Sequence, residues 1–178
     1  MSNLRLINET TTTAGVQTVN ITDVFSSDFD IYKIVGSNNL ANNSTATGFN
    51  LRFINAGGSV IADSGYYYAQ QALKGNTTFG ENKSTTESRI WNVFGGLDDS
   101  GQSSGSVAYI FNPTSTTTYT YVIYQSSNYP SGNFRMYKGV AVYPQLIKIT
   151  GFQAELNESA GEFASGGKII TYGLRVDS

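Results

Sequence analysis

Carboxylates are the side chains of this sequence that could most readily perform catalysis, because the chain contains neither histidine nor cysteine. That absence removes Ser-His-Asp and Cys-His machinery, thiolate nucleophiles and cysteine-type zinc sites. An enzyme built from this chain would need paired Asp or Glu side chains, as glycosidases use. The candidates are Asp98 with Asp99 in a Gly/Ser-rich turn, and the group Asp23, Asp28 and Asp30.

Neither set of carboxylates has a spacing that places two of them in one cleft. Aspartate is common in turns, where it bonds to the local backbone, and this role suits both sets better than catalysis. The stretch "GLDDSGQSSG" offers oxygen ligands for calcium but lacks the alternating acidic pattern of a calcium loop. The sequence therefore predicts a protein that is not an enzyme, with no cofactor and no metal site.

The 12 tyrosines are the group that most strongly suggests binding. Successive side chains of a strand point to opposite faces, so three adjacent tyrosines cannot all lie in a core. An exposed tyrosine ring can stack on a sugar or anchor a protein interface. Simple packing on sheet faces is as good an interpretation as a protein interface, since tyrosine favours strands, and a sugar site ranks below both. The candidate binding residues are Tyr66, Tyr67, Tyr68 and Tyr129.

Composition narrows the class of partner. The 178 residues suit one domain, and only 13% of them are charged, about half the usual share. A net charge of −2 without basic runs argues against nucleic acid and gives no reason to expect a membrane partner. The N-terminal stretch "MSNLRLINETTTTAG" lacks the apolar middle of a signal peptide, so we expect synthesis in a cytoplasm.

The elements that would position these residues are strands, because the apolar period is two almost everywhere. In "GFNLRFI", for example, Phe49, Leu51 and Phe53 share one face, while Asn50 and Arg52 share the other. About nine or ten such strands, separated by turns rich in Gly, Asn and Ser, predict an all-β protein. The expected architecture is an antiparallel β-sandwich of jelly-roll type. The stretch 66–75 fits a strand end or a helical turn.

One sandwich domain is predicted over residues 16–178, preceded by a loose N-terminal arm over residues 1–15 that could serve as an attachment tether. The domain ends on a strand that follows the double glycine Gly166–Gly167. In that strand Ile169 and Thr171 should share one face, and Gly173 should either leave room for a neighbouring side chain or mark a bulge. A terminal strand inside a sheet would make this segment essential for folding.

Short pieces over most of the chain resemble a broad group of tailed-phage virion proteins. The pieces are "FDIYKIVGSNN", "GFNLRFINAGGSVIADSGYYYA", "YIFNPTSTTTYTYVIYQSS" and "ITGFQAELNESAGEFASGGKIITYGLRV". Members of this group tend to end in F-x-S-G-x-I-x-x-Y-G, which here runs from Phe163 to Gly173 with one extra residue after the first glycine. The resemblance implies a small all-β virion protein of the head-decoration, cement, fibre or tail-appendage type, and it transfers no catalytic residues.

Three functions follow in order of preference. The first is a structural protein on the virion surface that binds capsid or tail subunits, as a homo-oligomer such as a trimer or docked onto capsomers. The second is a fibre or tail-tip module that binds a glycan or host receptor through surface tyrosines. The third, a carboxylate-based glycosidase or depolymerase, ranks far behind. The expected location is the virion, after synthesis in the host cytoplasm.

Overall fold

A computed structural model of the chain describes residues 3–39, 48–95, 103–129, 134–156 and 161–175. Twelve strands, all paired antiparallel, make up its regular structure. No helix among the described residues could cross a membrane. The strands are β1 (Leu4–Thr11), β2 (Thr18–Ile21), β3 (Ile31–Asn39), β4 (Phe49–Asn55), β5 (Tyr66–Lys74), β6 (Gly80–Glu87), β7 (Ile90–Gly95), β8 (Ser104–Phe111), β9 (Thr120–Asn128), β10 (Arg135–Tyr143), β11 (Ile149–Leu156) and β12 (Lys168–Leu174).

The strands form two sheets with jelly-roll connectivity. One sheet has the order β1-β12-β3-β8-β9-β10-β5-β6, and the other has the order β2-β11-β4-β7. Eight of these strands have the neighbour order of the two four-stranded sheets of a jelly roll, β1-β12-β3-β8 and β2-β11-β4-β7. The remaining four are two hairpins, β5–β6 and β9–β10, which lengthen the first sheet beyond β8. The predicted all-β, jelly-roll-like sandwich is confirmed, with twelve strands in place of nine or ten.

The core lies between the two sheets and is rich in aromatic rings. Phe53 of the four-stranded sheet packs on Tyr66 of the eight-stranded sheet, with ring centroids 5.8 Å apart, and Tyr143 lies 4.9 Å from Tyr66. The Tyr66 hydroxyl accepts a hydrogen bond from the Phe53 amide (2.8 Å) and donates one to the Ile61 carbonyl (3.0 Å). A fully buried phenol is thus satisfied at both of its hydrogen-bonding functions.

Three strands account for the difference from the expected number. Residues 4–11, which we expected to belong to a loose arm, form β1 and pair with β12 over most of its length. The stretch 66–75, which was ambiguous, is mostly strand β5. Strand β6, "GENKSTTE", has no apolar alternation because it lies at the sheet edge, where five of its eight residues are exposed and none is buried. Edge strands of this charged, polar kind resist further pairing with other chains.

The end of the chain lies inside the sheet. β12 is paired on both sides, with β1 and with β3. Gly166 takes φ +94° in the turn that precedes β12, a conformation that glycine adopts without strain. A Cβ atom at Gly173 would lie 2.6 Å from the Phe29 ring, so the ring occupies the space that a side chain would need. Ile169 and Thr171 share one face, as the alternation predicted, and the structure shows that this face is the buried one.

Candidate interaction surface

One apolar row crosses the outer face of the eight-stranded sheet, which is the face turned away from the four-stranded sheet. Strand register aligns seven residues from seven neighbouring strands, and each of them is aliphatic or aromatic. Leu4, Tyr121 and Tyr67 in this row are exposed, and the others are half-buried. The row reads Leu4, Leu174, Ile31, Phe111, Tyr121, Val142 and Tyr67.

A second row lies two residues further along each strand and crosses all eight strands. It is also mainly apolar, with Lys33 near its middle and Lys83 at its end. Leu6, Ile123 and Val140 in this row are 55%, 46% and 53% exposed. The row reads Leu6, Tyr172, Lys33, Tyr109, Ile123, Val140, Ala69 and Lys83.

These two rows make an exposed apolar surface that a free sandwich face would not be expected to carry. In an antiparallel sheet with one face in solvent, polar residues normally occupy the solvent face and apolar residues occupy the buried face. Large contiguous apolar patches on a soluble protein mark sites of interaction. The third row begins with Glu9 of β1 and continues through Ile170, Val35 and Val107. It turns polar from β9 onward with Gln125, Lys138, Gln71 and Glu81.

The outer face contains a trough over strands β5, β10 and β6. Its first part is a depression of 640 Å³, with Ala69 and Val140 in the floor and Tyr67 and Tyr121 among its walls. A second depression of 470 Å³ shares Ala69, Val140 and Lys83 with the first and continues toward more polar residues. These include Gln71, Glu81, Asn82 and Lys138. Together the two depressions follow β5 from Tyr67 to Gln71.

A polar layer supports the trough from the inner side of the sheet. The Gln70 side-chain oxygen accepts hydrogen bonds from the Tyr124 hydroxyl (3.0 Å) and the Asn92 side-chain amide (3.4 Å). Ser126 donates to the Asn92 carbonyl at 2.7 Å. The Tyr124 ring lies across Gly139, where any Cβ atom would overlap it. β5 and β9 are therefore bound to β7 by buried hydrogen bonds, and β10 packs on the Tyr124 ring through Gly139. Together these contacts hold the floor of the trough in place.

Lysines outnumber acids on the outer face, where Glu9 is already paired with Lys168. Lys33, Lys83 and Lys138 point outward, and no ion pair within the described residues involves any of them. Glu81 at the far end of the second depression is the acid of the trough lining. The whole chain nevertheless has a net charge of −2. The outer face is therefore more positive than the protein as a whole.

The four candidate tyrosines fall in three different environments. Tyr66 and Tyr68 face the core, with 0% and 5% exposure, and burial raises the pKa of both phenols, that of Tyr68 to about 12. Neither ring can stack on a ligand at the surface. Tyr67, between them, points outward and is 42% exposed in the trough wall. The structure thus separates the three adjacent tyrosines by strand parity, and it leaves Tyr67 as the accessible ring of the three.

Tyr129 lies apart from the trough and directly follows the last residue of β9, Asn128. Its ring is 54% exposed, and that of Phe134 is 50% exposed. The two residues line a shallow depression of 370 Å³ together with Ser37, Asn38 and Ser103. Two exposed rings beside small polar side chains can accept a sugar ring by stacking and hydrogen bonding.

The sequence drew attention to two sets of aspartates as well. Asp98 and Asp99 lie outside the described residues. Asp23, Asp28 and Asp30 belong to the connection between β2 and β3. Within the described ranges no group of three or more acidic side chains is arranged to hold a metal ion. Asp23, Asp28 and Asp30 therefore form no metal-binding cluster with other described side chains.

No protein-family model matches the sequence. No curated protein matches it either. The solved structures to which the chain has some likeness include the core of Drosophila NLP, at 10% identity over 98% of this chain and 99% of that chain, with a TM-score of 0.25. Congerin II with lactose and MES gives 14% identity, 78% and 99% coverage and a TM-score of 0.27.

A carbohydrate-binding module of the evolved Dit protein from Lactobacillus casei BL23 phage J-1 gives 10% identity. The alignment covers 90% of this chain and 70% of that one, and its TM-score is 0.21. Likenesses at TM-scores this low carry no inference about what this chain does. The features available for interpreting function are therefore the surfaces of the chain itself.

A charged cluster on the four-stranded sheet is a competing candidate. Glu155 is 4% exposed and forms ion pairs with Arg52 (3.0 Å) and Arg89 (2.7 Å), and the Arg89 guanidinium lies 5.4 Å from the Trp91 ring centre. Burial raises the pKa of the Glu155 carboxyl, against the opposing effect of the two arginines. Each carboxylate oxygen of Glu155 pairs with one guanidinium. We therefore assign the cluster a structural role, which is to join β4, β11 and the start of β7.

Sequence reasoning missed most of the outer face. It identified Tyr67 but not Tyr121, Ile123 or Val140, although all of them belong to strands with apolar residues at both parities. Apolar residues on both faces of a strand are a usable signal in a sequence, since one of the two faces must then be exposed or covered by a partner. Which residues align in rows depends on strand order, and strand order is not readable from the period of a single strand.

Proposed function

We propose that this chain is a non-enzymatic structural protein of a phage virion surface, of the capsid decoration, cement or appendage type, that binds other virion subunits through its outer face. The observation that carries the proposal is the pair of apolar rows across the eight-stranded sheet. The sequence resemblance to tailed-phage virion proteins supplies the class of partner. The absence of histidine and cysteine makes catalysis the weaker alternative.

The outer face has the size that a specific interface needs. Seven inter-strand steps span about 34 Å, and three rows spaced two residues apart cover roughly 20 Å in the other direction. The resulting area, on the order of 700 Å², is close to the ~800 Å² that each partner contributes to a standard interface. Apolar side chains occupy most of its centre, with Lys33 as the exception, while Lys83, Lys138 and Glu81 lie toward its rim. A hydrophobic centre with a polar rim is the usual anatomy of an interface.

Rebinding to stripped particles tests the proposal. Purified full-length chain is added to virions from which the same protein has been removed, and bound chain is measured by co-sedimentation. We expect saturable rebinding by the wild type, loss of rebinding by Val140→Asp, and normal rebinding by Leu146→Asp. Leu146 is a matched control because its exposure is 52%, against 53% for Val140, and it does not line the trough. Wild-type chain that ignores the particles would contradict the proposal.

A glycan-binding module is the second candidate function, and the Tyr129 depression is the observation that favours it. Tyr129 and Phe134 present two half-exposed rings beside Ser37 and Asn38. A glycan array probed with wild type and with Tyr129→Ala tests this function. Array signals that disappear in Tyr129→Ala would support it, and an array without signals for the wild type would remove it.

A further inference from the structure

We propose that the trough over β5, β10 and β6 binds a segment of a partner virion protein that carries a large apolar side chain with a carboxylate close to it. This inference rests on the proposed function and names the chemistry of the partner. The trough is a concavity of the apolar surface, and its two depressions have volumes of 640 and 470 Å³. A concave apolar site flanked by a few charges is a usual form for recognition of a protruding segment.

The first depression fits an aliphatic or aromatic side chain. Its floor and walls are Ala69, Val140, Val142 and the rings of Tyr67 and Tyr121. Ala69 is the smallest residue of its row, so the surface is lowest there, between Val140 and Lys83. Burying one Leu- or Phe-sized side chain in such a place stabilises the complex, because it removes apolar surface from water.

A sugar is a poorer occupant of this depression than a protein side chain. Apart from the two tyrosine hydroxyls, the polar side chains that line it are Lys83, Ser84 and Thr85, and all three come from the edge strand β6. A sugar ring needs hydrogen-bond partners around its rim, because an unpaired hydroxyl in an apolar site costs free energy. The Tyr129 depression, with its serines and asparagines, is the better place for a glycan.

Lysines on both sides of the trough indicate a partner with carboxylates. Lys83 projects from β6 and Lys138 from β10, and the strand that lies between them, β5, forms the trough floor. Both lysines lack an ion-pair partner within the described residues, and Lys33 lies further along the same face. Glu81 is the single acid of the lining. An acidic segment would pair with these ammonium groups, and a basic one would be repelled.

A second copy of this chain matches the trough less well. A two-fold contact places the same surface on both partners, so the three outward lysines of one copy would approach those of the other. Like charges brought together at an interface are unfavourable, and two concave surfaces leave a void between them. The distance along β5 from Tyr67 to Gln71 is about 14 Å, enough for an extended segment of about five residues.

A random dodecapeptide library selected on the immobilised full-length chain tests this inference. We expect the selected peptides to share a large apolar residue with Asp or Glu within about four positions of it. Synthetic copies should bind Leu146→Asp as they bind wild type, and should bind Val140→Asp and Lys83→Glu/Lys138→Glu about tenfold or more weakly. Peptides with Lys in place of the acids should regain affinity for the Lys83→Glu/Lys138→Glu variant.

Several results would overturn the inference. One is a library that yields no Val140-dependent peptide, and another is a set of selected peptides without acids. A third is self-association through the trough, seen in sedimentation equilibrium as a dimer that Val140→Asp dissociates. If stripped particles still rebind wild-type chain in any of these cases, the inference about the trough fails while the proposed virion function stands. If rebinding also fails, the proposed function fails with it.

Discussion

Val140 of β10 lies directly opposite Ile123 of β9, and both side chains are about half exposed on the outer face of the eight-stranded sheet. Directly opposed apolar side chains stabilise a sheet by packing against each other. That packing does not explain why about half of each side chain is left exposed to water. The same row continues to Tyr109 on one side and to Ala69 on the other. The pair is therefore the centre of a surface shaped by something other than folding stability alone.

Replacing Ile123 and Val140 together separates the contribution of the pair to binding from its contribution to folding stability. Ile123→Thr/Val140→Thr keeps β-branched side chains on both strands, so the unfolding free energy should change by less than about 1 kcal/mol. Binding to stripped particles should nevertheless fall by about tenfold or more, because apolar area at the centre of an interface contributes most. Urea melts and co-sedimentation measure the two effects. A variant that loses stability and binding in parallel would place the pair in the fold instead.

Gly173→Ala should destabilise the protein by about 1–3 kcal/mol, because the new methyl group would lie 2.6 Å from the Phe29 ring in a packed core. Gly105→Ala is the matched control in a strand of the same sheet. There the nearest atom to a new Cβ is the Ser127 hydroxyl at 3.9 Å, so little change is expected. Equal urea midpoints for the two variants would show that Phe29 does not need the space above Gly173.

Deleting residues 168–178 should abolish cooperative folding, since β12 bonds to both β1 and β3 and places Ile169 in the core. Deleting residues 1–9 should leave a protein that still melts cooperatively, because β1 is an edge strand with largely exposed side chains. Circular dichroism melts of the two truncations compare them. A soluble, cooperatively melting chain without β12 would contradict the role assigned to the end of the sequence.

Glu155→Gln should cost roughly 1–3 kcal/mol, since it leaves Arg52 and Arg89 side by side without their counter-charge. The two arginines are about one-fifth exposed, so solvent reduces the cost below that of a fully buried pair. Glu9→Gln removes a surface ion pair with Lys168 and should change stability by less than about 1 kcal/mol. Guanidinium melts of both variants test this contrast. Equal losses of unfolding free energy in Glu155→Gln and Glu9→Gln would contradict it.

Alkaline pH should destabilise the fold through its buried tyrosines. Burial raises the pKa of Tyr66 and of Tyr124, whereas a phenol in the unfolded chain ionises near pH 10. Above about pH 10 the unfolded chain therefore binds fewer protons than the folded one, and stability falls as pH rises. Each such group contributes a slope of about 1.4 kcal/mol per pH unit.

Comparing Tyr124→Phe with wild type isolates one of these groups. Urea melts between pH 9 and 11 should show a shallower loss of stability in Tyr124→Phe, because residue 124 no longer titrates in the unfolded chain. The variant also loses the hydrogen bond from Tyr124 to Gln70, which lowers stability equally across this range. Identical slopes for the two proteins would contradict a buried, protonated Tyr124.

The sequence was sufficient for the architecture because period-two alternation with turn signals specifies sheets. It was insufficient for β6, whose side chains are polar at both parities, and for β1, which resembled a tether until pairing with β12 was known. The same limit applies to the site. Parity indicated that one of Tyr66 and Tyr67 had to face outward, but the alignment of Tyr67 with Val142 and Tyr121 depends on two inserted hairpins.

Hydroxyl-radical footprinting of intact particles asks whether the outer face is covered. Oxidation of Tyr67, Tyr121 and Ile123 is compared between free chain and assembled virion, with the exposed Leu146 as the reference. We predict strong protection of the three outer-face residues in the virion and little change at Leu146. Outer-face residues that oxidise as fast in the particle as in free chain would contradict an outer face buried against another virion subunit.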